Sequence, residues 1–563
     1  MYNKFTSMLN LITRLLKSKK FNEWLLVILI SIFITVINNL HVIVGFLKTP
    51  PGFTYLATGH YFLDYFIYLS VIAQGQVGKI LPMNYLSSND PAIYLFFLPY
   101  VLLGLIAWFL RLSPMSIYWI AVFILNISLL MIFYLLIKSV LKKESLFIKL
   151  FAFLIAIFSG PFFTITKNSG QFDIIPFDFW YGPSAFIRRF ELVPYHLLGA
   201  ILLGLVIFLI CRLIEKIEKM TNKAIFYNSL FIVFFMIFII TFSPFTLMPF
   251  LPTLSIISLY YFIKNKHIRF KVVYFNLIIF VIIVPIGFLL KKFSNENDLF
   301  QRISALEVLW NEKISFKFLL LNLGPIALFF PFGIWEYLKK DNAIRLVLFL
   351  FTMICYILLI SPISFLLGTH NLRFLSSLSY VFFASLVVLG MKNISQLFKN
   401  KKNIILIIIF ASVFLYSAIF NYKDLSLRLS GFDQRTPVTE YTYVPTKLIN
   451  GIKSLNYFKD NGVILTDPYT RIGILSSIFA HKRAFIGSEI MTSEFAKKQF
   501  ITNQFFEMKI SPDQAKIFLY SNKISYILLT IYDAYDRNVF ISHYSFLKTL
   551  IDTPTISIWK VTN

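Results

Sequence analysis

The sequence predicts an α-helical polytopic membrane protein of about 11 transmembrane helices, with juxtamembrane helices in its first outer loop and a small C-terminal α/β domain. Three observations predict it. Of 563 residues, 58% are hydrophobic and only 14% charged, with a mean hydropathy of +0.73, a balance foreign to soluble domains. Apolar runs of about 17–25 residues, each long enough to cross a hydrocarbon core as a helix, recur from Glu23 to Phe420. Beyond them the tail is polar.

The net charge of +26 comes from 53 Lys and Arg against 27 Asp and Glu. Six short loops, Met1–Asn22, Lys138–Lys149, Arg212–Lys223, Lys264–Lys271, Lys339–Arg345 and Lys392–Asn403, hold 24 of these bases. That placement fits the positive-inside rule and argues against nucleic acid as a partner. All six loops share the cytoplasmic side only if the apolar stretch Ala92–Leu110 does not cross. Its Asn89-Asp90-Pro91 opening, Pro99, Gly104 and the Arg111–Pro114 break suit a re-entrant or juxtamembrane segment. Eleven spans then remain, at 23–46, 117–137, 147–166, 190–211, 225–243, 247–263, 272–290, 317–338, 344–363, 373–391 and 404–420. The N-terminus is expected inside and the C-terminal domain outside. The first span is too long for a signal-peptide core and should remain as an anchor. Cys211 and Cys355 both lie in apolar runs, which excludes a disulfide framework and a thiolate metal site.

In this topology the outer face collects the long loop 47–116, the loops Thr164–Glu191 and Lys291–Lys317, the turn Ser364–Arg373 and the tail. The expected domains are a membrane part, 1–420, and an extracytoplasmic α/β part, 421–563. In the latter, β-rich runs at Val463–Thr466, Arg483–Gly487, Ser525–Thr530 and Thr555–Val561 are separated by helical stretches such as Arg471–Phe479.

The segment Gly59–Gly75, GHYFLDYFIYLSVIAQG, carries the chemistry. At helical spacing Phe62, Phe66, Leu69 and Ala73 form an apolar stripe suited to lying on the membrane. His60, Asp64 and Tyr68 share the opposite face, and Gly75 and Gly78 supply a stop. A carboxylate so placed can take a proton from an incoming hydroxyl or amine, the role of a general base. The plainer alternative is a solvated acid on an interfacial helix.

A first span, then a large outer loop with an early acid on a juxtamembrane helix, then the Pro-containing segment NDPAIYLFFLPYVLLG, resembles the GT-C glycosyltransferase superfamily. Its members include the dolichyl-phosphate-mannose protein mannosyltransferases and the bacterial lipid A aminoarabinose transferases. The tail sequence VILTDPYTRIGILSSIFAHKRAFIGSE is similar to the outer domain of bacterial members. The resemblance implies a GT-C-like fold and a membrane glycosyltransferase that moves a sugar from a polyprenyl-phosphate-linked donor to a glycan, lipid or protein acceptor. It places Asp64 at the catalytic or acceptor-orienting position. Several members carry two adjacent acids here, whereas Asp64 is followed by Tyr65 and the next acid, Asp90, belongs to the second juxtamembrane segment. That departure speaks against a two-carboxylate or metal-assisted mechanism.

A phosphate leaving group needs cations where charge develops. Arg188 and Arg189 in GPSAFIRRFELVPYH, His196, and His370 with Arg373 in GTHNLRF stand at predicted outer ends. Arg suits phosphate through its planar fork, although the Arg188–Arg189 pair is also placed to snorkel at a span end. Asp173 and Asp178, beside Trp180 and Tyr181, are candidates for sugar hydroxyls, and Lys291 and Lys292 for headgroup anchors. The expected enzyme is an inverting glycosyltransferase with Asp64 catalytic, substrate held by His60, Tyr68, Asp90, Arg188, Arg189, His370 and Arg373, and no metal or separate cofactor. The alternatives are a transporter or flippase of lipid-linked glycans, a ligase-like or polymerase-like enzyme, and a non-catalytic membrane scaffold. The acids avoid the predicted spans and the polar groups gather on one face, which favours one-sided chemistry over transport.

Overall fold

The computed structural model describes residues 19–88, 95–168, 171–179, 187–264, 268–339, 342–398, 402–432, 435, 438, 443–458 and 460–562. Among these, eight helices are long and apolar enough to cross a membrane: Pro114–Val140, Pro194–Lys219, Asn222–Phe242, Pro244–Lys264, Arg269–Asn295, Phe316–Lys339, Ala343–Ile360 and Ile404–Arg428. The number reaches nine if Asn22–Asn38 and Leu40–Leu47, which break at Asn39, form one span. Two expected spans differ. The run at 147–166 is a helix only over Leu146–Phe158, because the β-branched Phe163–Asn168 pairs antiparallel with Gln171–Pro176 instead. The run at 373–391 begins with the short 3-10 turn Asn371–Phe374, and its helix covers Ser379–Gln396. The helices Leu98–Leu110 and Leu146–Phe158 have 13 residues each, about 20 Å of rise, shorter than a hydrocarbon core of about 30 Å.

The chain divides into two compact units. The first comprises Met1–Asn38, Val122–Phe293 and Ser304–Leu425. Its centre is the buried Ser379–Gln396 helix, which packs against Leu146–Phe158 and Phe330–Lys339. A Cβ on Gly333 would lie 2.1 Å from the Leu386 carbonyl oxygen, so small residues set that helix spacing. Buried Arg345 donates to the carbonyls of Val140 (3.1 Å), Glu336 (3.0 Å) and Tyr337 (3.2 Å), satisfying helix ends that water does not reach.

The second unit comprises Asn39–Ala121, Ser294–Ile303 and Ser426–Asn563. Its sheet runs in the order Val463–Leu465, Ile524–Thr530, Ile556–Val561, Leu547–Asp552, with the first pair parallel and the others antiparallel. Phe485, Phe505, Phe518, Phe540 and Trp559 form the core on that sheet. The edge strand Leu547–Asp552 escapes sequence reading because Lys548 and Thr549 leave it exposed, with little apolar alternation. Conversely, Arg483–Gly487 is no strand: it makes single bridges, Ala484 to Ile464 and Ile486 to Ser87. Phe53–Tyr55, in the loop after the first apolar run, pairs antiparallel with Tyr443–Pro445.

Candidate active site

Asp64 occupies the first turn of the helix Phe62–Gln76, in the second unit, and is half-buried. Unsatisfied N–H groups at a helix N-terminus favour a carboxylate there. The approach to the helix is fixed by two aromatic donors: Tyr65 Oη donates to the Leu56 carbonyl (2.9 Å) and Trp119 Nε1 to the Ala57 carbonyl (2.8 Å). The expected amphipathic stripe is corrected. Every residue from Tyr65 to Gly75 is buried, including Phe66, Leu69 and Ala73, because Leu98–Leu110 and Gly473–Phe479 pack against this helix. Gly75 does not stop the helix either; Gly78, with φ +82, follows its end, and Gly75 is a contact point inside it.

His60 lies 2.7 Å through Nδ1 from Tyr118 Oη and stacks on Trp119 at 5.0 Å. Burial, then the nearby His41 and Arg428, pushes its pKa down to about 3, so it is neutral at pH 7. Tyr68 stacks flat on Tyr100 at 4.3 Å. At the N-terminal end of the helix the Arg471 guanidinium lies 5.0 Å over the Phe62 ring and 3.3 Å from Glu489. Asp90 falls outside the described residues, as do Trp180 and Tyr181. The segment leading to Asp90 is held by the tail: Asn84 Nδ2 donates to Met491 (2.8 Å), Thr492 Oγ1 to Leu86 (2.7 Å), and Ala484 N to Tyr85 (2.9 Å).

A second cluster forms in the first unit around Arg373. Its Nη2 lies 2.6 Å from Glu307 Oε1, and Nη1 lies 3.4 Å from His196 Nε2 and 3.5 Å from Tyr195 Oη. Thr369 Oγ1 donates to the other Glu307 oxygen at 2.5 Å. Burial raises the Glu307 pKa, but Arg373 and the Thr369 hydroxyl outweigh it and hold the carboxyl below its usual value. The turn carrying Arg373 is clasped by Asn311, which accepts from Ser364 Oγ (2.6 Å) and Asn371 N (3.0 Å) and donates to the Thr369 carbonyl (3.0 Å). His370 is pushed down to about 4 by burial and by Arg373, so it too is neutral.

The remaining candidates are placed differently. Arg189 is fully buried and donates to the carbonyls of Ala156 (2.5 Å), Ile157 (3.4 Å) and Ser159 (2.8 Å), with its guanidinium 3.2 Å over the Tyr380 ring. It caps the Leu146–Phe158 helix, which leaves it no surface for a carrier phosphate. Arg188 is about half exposed, 3.8 Å from Glu191 and 3.6 Å from Asp424. Asp173 is taken by an ion pair with Lys423, and Asp178 accepts from the Phe179 N–H at 2.8 Å. Among the described residues, no three of His, Cys, Asp and Glu are grouped to hold a metal ion. Glu307, Tyr195 and Arg471 were not singled out from sequence. Their signals are faint: an acid in QRISALEVLW, a tyrosine beside His196, and an arginine within DPYTRIG.

No protein-family model and no curated protein matches the chain. Solved structures do. The chain is similar to the archaeal oligosaccharyltransferase AglB from Archaeoglobus fulgidus in complex with an inhibitory peptide and a dolichol-phosphate, with a TM-score of 0.52 and 10% identity over 97% of this chain and 75% of that one. The apo form of the Archaeoglobus fulgidus oligosaccharyltransferase matches with a TM-score of 0.54 and 11% identity over 91% of this chain and 70% of that one. The form tethered to an acceptor peptide containing the NVT sequon gives 0.51 and 11% over 91% and 69%. Together with the helix count and the small C-terminal sheet, these likenesses establish the architecture: the chain has the GT-C fold.

Proposed function

We propose that the chain is a membrane glycosyltransferase that moves a sugar from a polyprenyl-phosphate-linked donor to an acceptor on the extracytoplasmic face. The observation that carries the reading is Asp64, a half-buried carboxylate on the first turn of an otherwise buried helix within a GT-C fold. Asp64 takes the proton of the acceptor hydroxyl or amine, or orients it, as the acceptor attacks the anomeric carbon. The bond to the carrier oxygen breaks, its electron pair stays on the phosphate, and the configuration inverts. In the first unit, Arg373, whose fork Glu307 holds in place, and Arg188 are the cations we propose for a carrier phosphate. Arg189 keeps a structural role only. His60 and Tyr68, on the Asp64 segment, and separately His370, next to Arg373 in its own unit, are candidates for substrate contacts, both imidazoles being neutral, and Asp90 remains a candidate acceptor contact. The reading requires no separate cofactor.

The neighbouring oligosaccharyltransferases include one solved with dolichol-phosphate and one with an acceptor peptide, which supports a lipid-linked donor for this fold. The orientation rests on the basic loops, with the N-terminus cytoplasmic and the tail from 421 outside. That the loop after the first apolar run and the tail share one compact unit supports a common side for them.

The test is sugar transfer from a polyprenyl-linked donor by Asp64→Asn. Removing a general base should lower the rate by about 100-fold or more. Full activity in a folded variant overturns the role of Asp64, and translocation of an intact lipid-linked sugar without bond cleavage points to a flippase instead.

A further inference from the structure

The helices Phe62–Gln76 and Leu98–Leu110 run side by side in the same direction, touching at Gly75 and Gly104, and Gln76 Nε2 donates to the Leu112 carbonyl at 2.5 Å. Their C-terminal ends therefore meet. From one end project Val77, Ile80 and Leu81, and from the other Trp108, Phe109 and Leu110, with Ile80 67% and Phe109 79% exposed. The turn beneath them is built, not loose. Gly78 takes φ +82, and the Gln74 amide clasps Met83 through both its nitrogen (2.8 Å) and its oxygen (2.9 Å).

Two cations are gathered on the same turn. Lys79 Nζ sits 4.4 Å over the Tyr85 ring, and Arg483, whose neighbour Ala484 bonds the Tyr85 carbonyl, reaches the Ser88 carbonyl at 3.3 Å. Among the described residues no carboxylate pairs with either. Burial and then Arg483 lower the Lys79 pKa, and burial and then Lys79 lower that of His481. Exposed Arg111 ends the second helix. Packing like charges together costs free energy unless an anion joins them, and the bare apolar side chains alongside specify which anion.

We propose that this end of the helix pair is a bilayer-docking face, in which Lys79 and Arg483 bind the phosphate of acidic phospholipid headgroups while Val77, Ile80, Leu81 and Phe109 sink to the acyl boundary. Cations at phosphate depth with apolar side chains and a tryptophan just below are the arrangement of interfacial segments. Side chains this exposed form a surface for many shallow lipid contacts and give no enclosure to one long polyprenyl chain. The face shares no residue with the Arg373 cluster, and the proposal holds whether or not the chain transfers sugar.

The test titrates the detergent-solubilised full chain with phosphatidylglycerol, with a polyprenyl monophosphate and with inorganic phosphate, counting bound molecules by native mass spectrometry. Lys79→Gln with Arg483→Gln should weaken phosphatidylglycerol binding about 30-fold, the loss of two surface cations, and leave the polyprenyl phosphate unaffected. Lys79→Gln alone, whose ammonium rests on a ring face, should give about a fivefold loss and keeps the comparison alive should the double variant not fold. Unchanged phosphatidylglycerol binding overturns the proposal. So does an equal loss of inorganic phosphate, which marks a general anion site, or a larger loss of polyprenyl phosphate, which assigns the face to the carrier.

Discussion

Arg189 shows how one residue can look functional in sequence and be structural in the fold. A twin arginine at a predicted span end invites a phosphate, yet the Arg189 guanidinium sits among the carbonyls of Ala156, Ile157 and Ser159 and against Tyr380. Those carbonyls end a helix inside the protein, where an unmatched acceptor costs about 1–3 kcal/mol. Arg189→Ala should therefore destabilise the protein by about 3 kcal/mol or more, read as a large fall in the unfolding midpoint. Arg188→Ala, at an exposed position, should leave that midpoint nearly unchanged. A normal midpoint for Arg189→Ala with impaired donor use would instead restore the phosphate-binding role. Arg373 differs because its partner is an acid: Glu307 fixes the guanidinium without covering it with backbone, and the side chain remains 20% accessible.

At the scale of elements, the helix carrying Asp64 was legible as a helix and illegible in its surroundings. Its period and the Gly78 stop stand in a few consecutive residues. Besides the nearby Leu98–Leu110 helix, what covers it comes from far along the chain: the Gly473–Phe479 helix and Arg471. No local pattern announces a partner 400 positions away, so a stripe that reads as membrane-facing is in fact core. The eight long spans were legible for the converse reason, since each needs only its own composition. The helix ending at Phe158 was overextended because Phe163-Thr-Ile-Thr continues the apolar run, and only the strand pairing with Gln171–Pro176 and the Arg189 cap reveal the break. The glycine contact between the two short helices gives the sharpest check on this packing. A Cβ on Gly104 would lie 2.1 Å from the Ile72 carbonyl oxygen, so Gly104→Ala must push the helices apart. It should cost about 1–3 kcal/mol. Gly78→Ala meets open space and pays only for its positive φ, about 1 kcal/mol. Equal midpoints for the two variants in thermal unfolding would contradict the close crossing.

At the scale of the whole molecule, the arrangement of charge makes a claim about sides. The six basic loops can all face the cytoplasm only if Ala92–Leu110 stays on the side it entered from. The charges carry that solution, because Leu98–Leu110 and Leu146–Phe158 both have 13 residues, about 20 Å of rise against a hydrocarbon core of about 30 Å, and length does not tell them apart. The consequence is that the 138–149 loop and the C-terminal sheet should lie on opposite faces of the membrane. Cys211 and Cys355 are both buried, so the native chain offers a quiet background for thiol labelling. On intact cells a membrane-impermeant maleimide should modify Tyr457→Cys, at a position 86% exposed on the tail domain, without permeabilisation. Lys143→Cys, exposed in a basic loop, should react only once the membrane is opened. The reverse pattern would mean that the Asp90-Pro91 segment crosses after all. It would then put the sheet, and with it the proposed sugar transfer, on the cytoplasmic face.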